Sequence, residues 1–98
     1  MQVKIPHKLT KSAAIAQVKK ALEDARPKMD EAKVTITTER WDDNVLTFDV
    51  TGQGQRISGT FTVNDHDFEL YAKLPLMLKM FEGKIEKAIA EQAKGMLG

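Results

Sequence analysis

Between residues 34 and 74, four consecutive runs place apolar side chains on every second position. Alternation of this kind is typical of antiparallel strands that cover one face of a sheet and leave the other in solvent. Three short segments rich in turn-forming residues separate the runs: Asp42-Asp43-Asn44, Gly52-Gln53-Gly54 and Asn64-Asp65-His66. The pattern therefore predicts a meander of four strands joined by hairpins.

The alternation also assigns each strand residue to a face. The inner face is predicted to hold Val34, Ile36, Thr38, Leu46, Phe48, Val50, Ile57, Gly59, Phe61, Val63, Phe68, Leu70, Ala72 and Leu74. The outer face is predicted to be polar and rich in threonine, to include Glu39, and to carry Trp41 and Tyr71 as its only large rings. An open face of this kind is one possible surface for self-association.

The segment before these strands changes period. Residues 2 to 7 alternate as a short strand does, and Pro6 restricts that strand to an edge or an end. A helical stripe then follows, with Thr10 or Ser12 available to cap its start. The stripe consists of Ile15, Val18, Leu22, Ala25 and Met29. Pro27 predicts regular helix to about Ala25 and a looser continuation to Ala32.

After Leu74 the period is again helical. Pro75 suits the first helical position, because its missing N–H has no partner there. The predicted main stripe is Leu78, Phe81, Ile85, Ile89 and Met96, and Gly95 and Gly98 mark the helix end. The order is therefore β-α-β-β-β-β-α in one domain, residues 1–98. Both helices need the apolar sheet face as a partner, which predicts a two-layer α+β sandwich with both helices on one face.

Composition excludes several classes of function. The 98 residues contain no cysteine, so thiol catalysis, disulfides and Cys-type metal sites are excluded. A chain without cysteine also fits the reducing environment of the cytoplasm. The chain has 15 basic and 14 acidic residues, and this near balance argues against a protein that is strongly attracted to nucleic acid by its charge. No apolar run approaches the roughly 20 residues of a membrane-spanning helix, and the first residues lack the apolar core of a signal peptide.

No catalytic constellation emerges from the candidate residues, and we expect neither a metal nor a cofactor. His7 and His66 are the only imidazoles, without partners at metal-ligand spacing. Asp42-Asp43 fall in a predicted turn, where aspartate is favoured for its own backbone hydrogen bonds. The two serines lack a nucleophile turn or a placed histidine. The sequence therefore does not indicate an enzyme.

One segment exceeds what a core requires. At 100° per residue, Leu76 and Met80 fall almost opposite the main stripe of the last helix, with Met77 on its flank. Gly83 lies on the same outer side, where an exposed interior glycine costs about 1 kcal/mol relative to alanine. Leu76, Met77, Met80 and Gly83 are accordingly the candidate binding residues.

The strip formed by these four candidate residues has two interpretations. Three large apolar side chains yield roughly 1.5–3 kcal/mol each on burial, while association costs an estimated 4–15 kcal/mol. The strip could therefore hold a weak homodimer, or adsorb to an apolar surface beside the lysines at 79, 84 and 87. Alternatively, Leu76 and Met77 tuck beneath a loop and methionine fills gaps in the core.

Several short motifs resemble a known family. They are His7-Lys8-Leu9 after the first strand, a lysine-rich helix, a strand closing on Trp41, Leu46-Thr47-Phe48, and Gly83-Lys84-Ile85-Glu86-Lys87-Ala88-Ile89. Over nearly the whole chain they resemble the small bacterial polyhydroxyalkanoic acid system proteins, the granule-region family. The resemblance implies a setting in polyester storage and carries no catalytic or ligand role to His7, Trp41 or Glu86.

Together with the strip, this resemblance implies a non-enzymatic accessory protein that contacts the storage granule or a granule-associated protein. Two alternatives use the same fold. The first is a helix-grip-like binder of a small hydrophobic ligand, disfavoured because Phe48, Phe61 and Phe68 crowd the inner face. The second is recognition of double-stranded RNA, disfavoured because a single lysine among apolar residues opens the last helix.

Overall fold

The computed structural model describes residues 1–97, with side chains through Lys94. The elements are β1 (Gln2–Pro6), α1 (Lys11–Glu31), β2 (Val34–Asp42), β3 (Val45–Gly52), β4 (Gln55–Val63), β5 (Asp67–Lys73), α2 (Leu76–Lys79) and α3 (Glu82–Leu97). The predicted order is confirmed, with the last helical region divided in two. The predicted stripe residue Met96 and the end marks Gly95 and Gly98 lie outside the residues whose side chains are described.

All five strands form one antiparallel sheet in the order β1-β5-β4-β3-β2. The three predicted hairpins are present. In the second of them Gln53 and Gly54 have φ values of 52° and 77°, the left-handed conformations of a type I′ two-residue turn. Strand β1 is an edge strand that pairs with β5, and Pro6 is its last residue, as predicted.

Burial is concentrated on the side of the sheet formed by β1, β5 and β4. The core cluster consists of Val3, Ile5, Ala14, Val18, Val63, Phe68, Leu70 and Ala93. Helix α1 contributes Ala14 and Val18, and α3 contributes Ala93. Both long helices therefore contribute to one core cluster with the sheet, and their placement on a single face as a two-layer sandwich stays a prediction.

Helix α1 is longer and more regular than its proline suggests. The Thr10 side chain accepts a hydrogen bond from the Ala13 N–H at 3.1 Å, so Thr10 is the N-cap. Pro27 lies inside the helix, and the prediction of regular helix only to about Ala25 is wrong. The last turn is held beyond the proline, because the Ala32 N–H donates to the Lys28 carbonyl at 3.1 Å. Tertiary contacts of α1 outweigh the backbone hydrogen bond that proline removes.

Strand β2 carries an irregularity that reverses the predicted faces of its second half. Ile36 pairs with Val50, but the next pair is Thr38 with Asp49, so Thr37 is an extra residue, a β-bulge. Beyond the bulge Glu39 pairs with Phe48 and Trp41 with Leu46, which places Glu39 and Trp41 on the inner face and Thr38 on the outer face. The predicted outer positions of Glu39 and Trp41, and the inner position of Thr38, are wrong for this reason.

Candidate functional site

The connection between β5 and α3 builds the candidate site. Leu74 is buried, and from Pro75 the chain makes a single helical turn, α2, in which the N–H groups of Leu78 and Lys79 both donate to the Pro75 carbonyl. Met80 and Phe81 then form a turn, and a hydrogen bond from the Ile85 N–H to the Phe81 carbonyl begins α3. The single continuous helix predicted after Pro75 is therefore interrupted at Met80–Phe81.

This interruption leaves four large apolar side chains in solvent, which we name the α2 patch: Leu76, Met77, Met80 and Phe81. Their exposed fractions are 81%, 68%, 83% and 52%. Three of the four predicted binding residues thus belong to the patch. Phe81, predicted on the inner stripe, is half exposed because the break before α3 changes its direction. The binding role of these residues stays a prediction.

Gly83, the fourth predicted binding residue, is the second residue of α3. It is exposed, and a Cβ added there would meet no other atom within 4 Å. The protein's own packing therefore does not require glycine at this position.

Beneath the α2 patch lies a hollow of about 410 Å³ at the end of the sheet. Its walls include Val34, Val50, Ile57, Met77, Leu78 and Phe81. A weak contact at 3.8 Å from the Gln55 amide nitrogen to the Met77 sulfur crosses its rim. The patch therefore extends from exposed tips into a partly open apolar depression.

Positive charge borders the patch. Lys73, Lys79, Lys84 and Lys87 are exposed, and none of them forms an ion pair with a carboxylate in the described structure. Glu82 does have a partner, since its carboxylate lies 3.0 Å from the amino group of Met1. Four exposed lysines without an ion pair in the described structure therefore flank the patch along the chain.

A second apolar surface lies between α1, the sheet and α3. It is a groove of about 510 Å³, and within the described part of the chain its polar lining residues are Glu39 and Gln92. The apolar lining consists of Val18, Ala21, Leu22, Ala25, Met29, Ile36, Leu46, Phe48, Val50, Phe61 and Ile89. Of the three aromatic residues expected to crowd this face, Phe68 is buried, whereas Phe48 and Phe61 are partly buried and line the groove.

Small side chains on α1 explain why the groove stays open. Ala21 and Ala25 line it from the helix, so α1 does not fill the space above Phe48 and Val50. In the sequence Ala25 belongs to the inner stripe of α1, and such alanines leave space opposite large residues such as Phe48. That contrast in size is the signal that could have indicated the groove.

The bulge in β2 builds one wall of the groove. Glu39 reaches Arg26 on α1, and the Lys19 ammonium lies 5.3 Å from the centre of the Trp41 ring. The hydrogen bond from Arg26 to Glu23, followed in size of effect by the one to Glu39, raises the pKa of the guanidinium above its ordinary value. These contacts connect α1 to the edge strand β2, on the side of the groove that Glu39 lines.

On its other flank α1 faces α3 across a cleft of about 500 Å³. The cleft is lined by Gln17, Lys20, Ala21, Asp24, Ala25, Lys28 and Gln92. Ala21, Ala25 and Gln92 line both the cleft and the apolar groove. The two concavities are therefore adjacent, one polar and one apolar.

The residues considered as catalytic or metal-ligating candidates form contacts that hold the fold together. His7 is buried: its Nδ1 accepts the Leu9 N–H at 3.1 Å, so Nε2 carries the proton that it donates to the Asn64 carbonyl at 2.9 Å. The ring also packs against Phe68, with centroids 4.7 Å apart. Asp43 has a φ of 55° in the first hairpin turn, as the turn interpretation requires. Within the described residues no group of three His, Asp or Glu side chains could hold a metal ion.

The outer sheet face carries one ion pair. The Arg56 Nε donates to both carboxylate oxygens of Asp49 at 2.9 Å, and Arg56 Nη2 donates to Oδ2. These bonds lower the pKa of Asp49 below its ordinary value and raise that of Arg56. Since Asp49 is on the side opposite the groove and Arg56 is largely exposed, the pair stabilises the sheet surface and belongs to neither candidate site.

Comparison of the sequence with models of protein families shows to which family the chain belongs. A family model described as "Putative polyhydroxyalkanoic acid system protein" matches residues 1–97. The chain belongs to this polyhydroxyalkanoic acid system family. Comparison with curated proteins and with solved structures gives no match. Family membership supports an accessory role in polyhydroxyalkanoate storage, and the family description names no enzymatic activity. Among the described helices, none has the length and apolar character needed to cross a membrane.

Proposed function

We propose that this polyhydroxyalkanoic acid system protein is a non-enzymatic accessory protein that adsorbs to the polyester granule through the α2 patch. One observation carries the proposal: Leu76, Met77, Met80 and Phe81 are all exposed within six consecutive residues. Single exposed apolar side chains are common on soluble proteins, whereas contiguous ones mark contact surfaces.

The composition of the patch suits an apolar surface. Polyhydroxyalkanoates are aliphatic polyesters, so a storage granule offers hydrocarbon and ester groups with few hydrogen-bond donors. The tips of Leu76 and Met80 can enter such a surface, and flexible methionine side chains adapt to an irregular one. The bordering lysines keep their ammonium groups in water while their carbon chains lie along the surface.

The strength of the contact follows from its size. Full burial of four large apolar side chains contributes roughly 1.5–3 kcal/mol each. Association costs an estimated 4–15 kcal/mol, and adsorption on a surface leaves part of each side chain exposed. We therefore expect reversible adsorption of single molecules at the granule. A weak homodimer through the same patch would compete with adsorption at high protein concentration.

The test measures partition of the purified protein onto protein-free polyhydroxybutyrate particles by sedimentation. The double variant Leu76→Glu/Met80→Glu should remain in the supernatant, because two carboxylates cannot be desolvated at the polyester. The matched control Tyr71→Glu changes an exposed ring on the outer sheet face and should sediment as the wild type does.

Three outcomes overturn the proposal in distinguishable ways. Sedimentation of the double variant at the wild-type level removes the patch from the contact. Equal loss in Tyr71→Glu shows that added charge alone prevents adsorption. A wild-type protein that ignores bare particles but sediments with native, protein-coated granules binds a granule protein, and direct contact with polyester is then wrong.

A second candidate function is binding of a small hydrophobic ligand, and the apolar groove beneath α1 favours it. Its volume of about 510 Å³ lies within the usual range of about 300–1,000 Å³ for small-molecule sites. Saturable binding of a hydrophobic dye that fatty acids displace would support this function. Dye binding that does not saturate would exclude it.

A further inference from the structure

The groove shares lining residues with several neighbouring concavities, two of which differ from it in polarity or position. At one side it shares Ala21, Ala25 and Gln92 with the polar cleft between α1 and α3. At the far end it shares Val50 with the apolar hollow below the α2 patch. The path from the cleft through the groove to the hollow therefore runs from polar to apolar surroundings.

The polar end carries uncompensated positive charge. Lys20 and Lys28 line the cleft, and neither ammonium group forms an ion pair in the described structure. Asp24, one turn from each of them on α1, is the only acid among the described residues that line the cleft. Two lysines against one aspartate leave the cleft with a net positive charge, which attracts an anion.

An occupant that matches both ends must be amphipathic. We propose that the cleft and groove together bind a single-chain carboxylate of the fatty-acid class. Its carboxylate lies between Lys20 and Lys28, and its hydrocarbon chain runs beneath Ala21 and Ala25 towards Val50. This inference rests on the second candidate function, ligand binding in the groove, and adds the chemical class and orientation of the ligand.

The orientation follows from solvation. A carboxylate placed among Phe48, Phe61 and Val50 would lose its hydration without any donor to replace it. At the cleft it keeps water and gains two ammonium groups, while the Gln92 amide lies where cleft and groove meet. The chain in turn removes apolar lining from water, so longer chains bind more tightly while the groove still has room.

The experiment compares decanoate with 1-decanol by isothermal titration calorimetry on the full chain, below the micelle concentration. We expect saturable 1:1 binding of both ligands, with decanoate tighter. Shortening the carboxylate to octanoate should weaken binding by about fourfold for each methylene removed, as apolar burial predicts. The decanoate advantage should diminish as salt concentration rises.

Variants test the two ends separately. Lys20→Gln/Lys28→Gln should weaken decanoate binding by about fivefold and leave 1-decanol unchanged, the size expected for exposed charge pairs. Asp24→Asn should tighten decanoate alone. The control Lys8→Gln/Lys11→Gln removes two exposed lysines that line neither cavity and should change neither ligand. Ala25→Leu, which fills the groove, should weaken both ligands, while the exposed Ala16→Leu should weaken neither.

The outcomes separate the two levels of the argument. If decanol and decanoate bind equally, and the lysine variants change neither, the groove binds hydrophobic ligands but the carboxylate assignment is wrong. If neither ligand binds the folded wild-type protein, both this inference and the ligand-binding function are wrong. If both bind and Ala25→Leu has no effect, the site is elsewhere, and the proposed orientation is overturned.

Discussion

Arg26 on α1 donates from Nη2 to both carboxylate oxygens of Glu39 on β2, at 2.8 and 2.9 Å. The pair spans the side of the groove where the edge strand meets the helix. It exists because the bulge at Thr37 turns Glu39 inwards, towards α1. A single extra residue in β2 therefore determines the charge and the wall of a candidate binding surface.

The bulge makes deletion of Thr37 a mild change. Without the extra residue, Ile36 and Thr38 keep their partners Val50 and Asp49, and Trp41 stays opposite Leu46. We expect a loss of about 0.5–1.5 kcal/mol, chiefly the hydrogen bond from the Thr37 hydroxyl to the Asp49 carbonyl, at 3.0 Å. Urea unfolding measures this loss, and the emission maximum of Trp41, the only tryptophan, should stay unchanged.

Deletion of Arg40 in addition to Thr37 is the matched comparison, since it removes a second β2 residue once the bulge that could absorb a deletion is gone. Trp41 would then move to the outer face, with a red-shifted emission and a loss of about 1.5–3 kcal/mol for its exposure. A red shift on deletion of Thr37 alone, or none on deletion of both residues, would contradict the bulge.

The sequence predicts the strands and hairpins of the sheet, but it predicts neither the bulge in β2 nor the interruption of the last helix. Alternating residues and turn residues such as Gln53-Gly54 carry local information, so strands and hairpins were predictable. The bulge leaves no local trace, because Thr37 and Thr38 are the same residue type and either could face solvent. The interruption at Met80 was equally hidden, since residues 76–89 satisfy a helical period across it. The groove depends on the distance between α1 and the sheet, which only the three-dimensional packing determines.

The Asp49–Arg56 pair predicts an acid-dependent part of the stability. The pKa of Asp49 is lowered from its ordinary value of 3.8, mainly by the hydrogen bond from Arg56. As pH falls, the Asp49 carboxylate therefore binds a proton in the unfolded chain before it does so in the folded protein. The contribution of the pair to the free energy of unfolding is complete above pH 3.8, and it is lost as pH falls through the lower pKa of the folded state. The stability difference between the wild type and Asp49→Asn should shrink over that acidic range.

Urea midpoints at neutral pH and at several values below 4 measure this difference. Asp65→Asn is the control, because this exposed turn carboxylate forms no ion pair in the described structure. A wild type to Asp49→Asn difference that is constant with pH would show that the pair does not contribute through ionisation.

Gly59 marks a close approach between β4 and β5. A Cβ there would lie 2.8 Å from the Ala72 Cα and closer still to the Tyr71 carbonyl oxygen, both backbone atoms of the paired strand. Gly59→Ala should therefore destabilise the protein by about 3 kcal/mol, at the upper end of overpacking costs. Thermal unfolding measures the loss.

Gly54 provides the contrast, because its constraint is conformational. It has a φ of 77° and no neighbour within 4 Å, so Gly54→Ala should cost about 1–2 kcal/mol. Asparagine tolerates that backbone region, so Gly54→Asn should recover most of the stability, whereas Gly59→Asn should be worse than Gly59→Ala. Recovery by asparagine at position 59 would contradict the steric explanation.

Gly83 connects stability to the proposed granule contact, because the two properties should change in opposite directions. Open space surrounds its position in the first turn of α3, so Gly83→Ala should stabilise the fold by up to about 1 kcal/mol. If polyester packs closely against the backbone there, the added methyl group should reduce adsorption to the particles. Ala16→Gly, on the exposed side of α1, should lower stability by a similar amount without changing adsorption. Adsorption of Gly83→Ala at the wild-type level would remove Gly83 from the contact surface and confine it to the α2 patch.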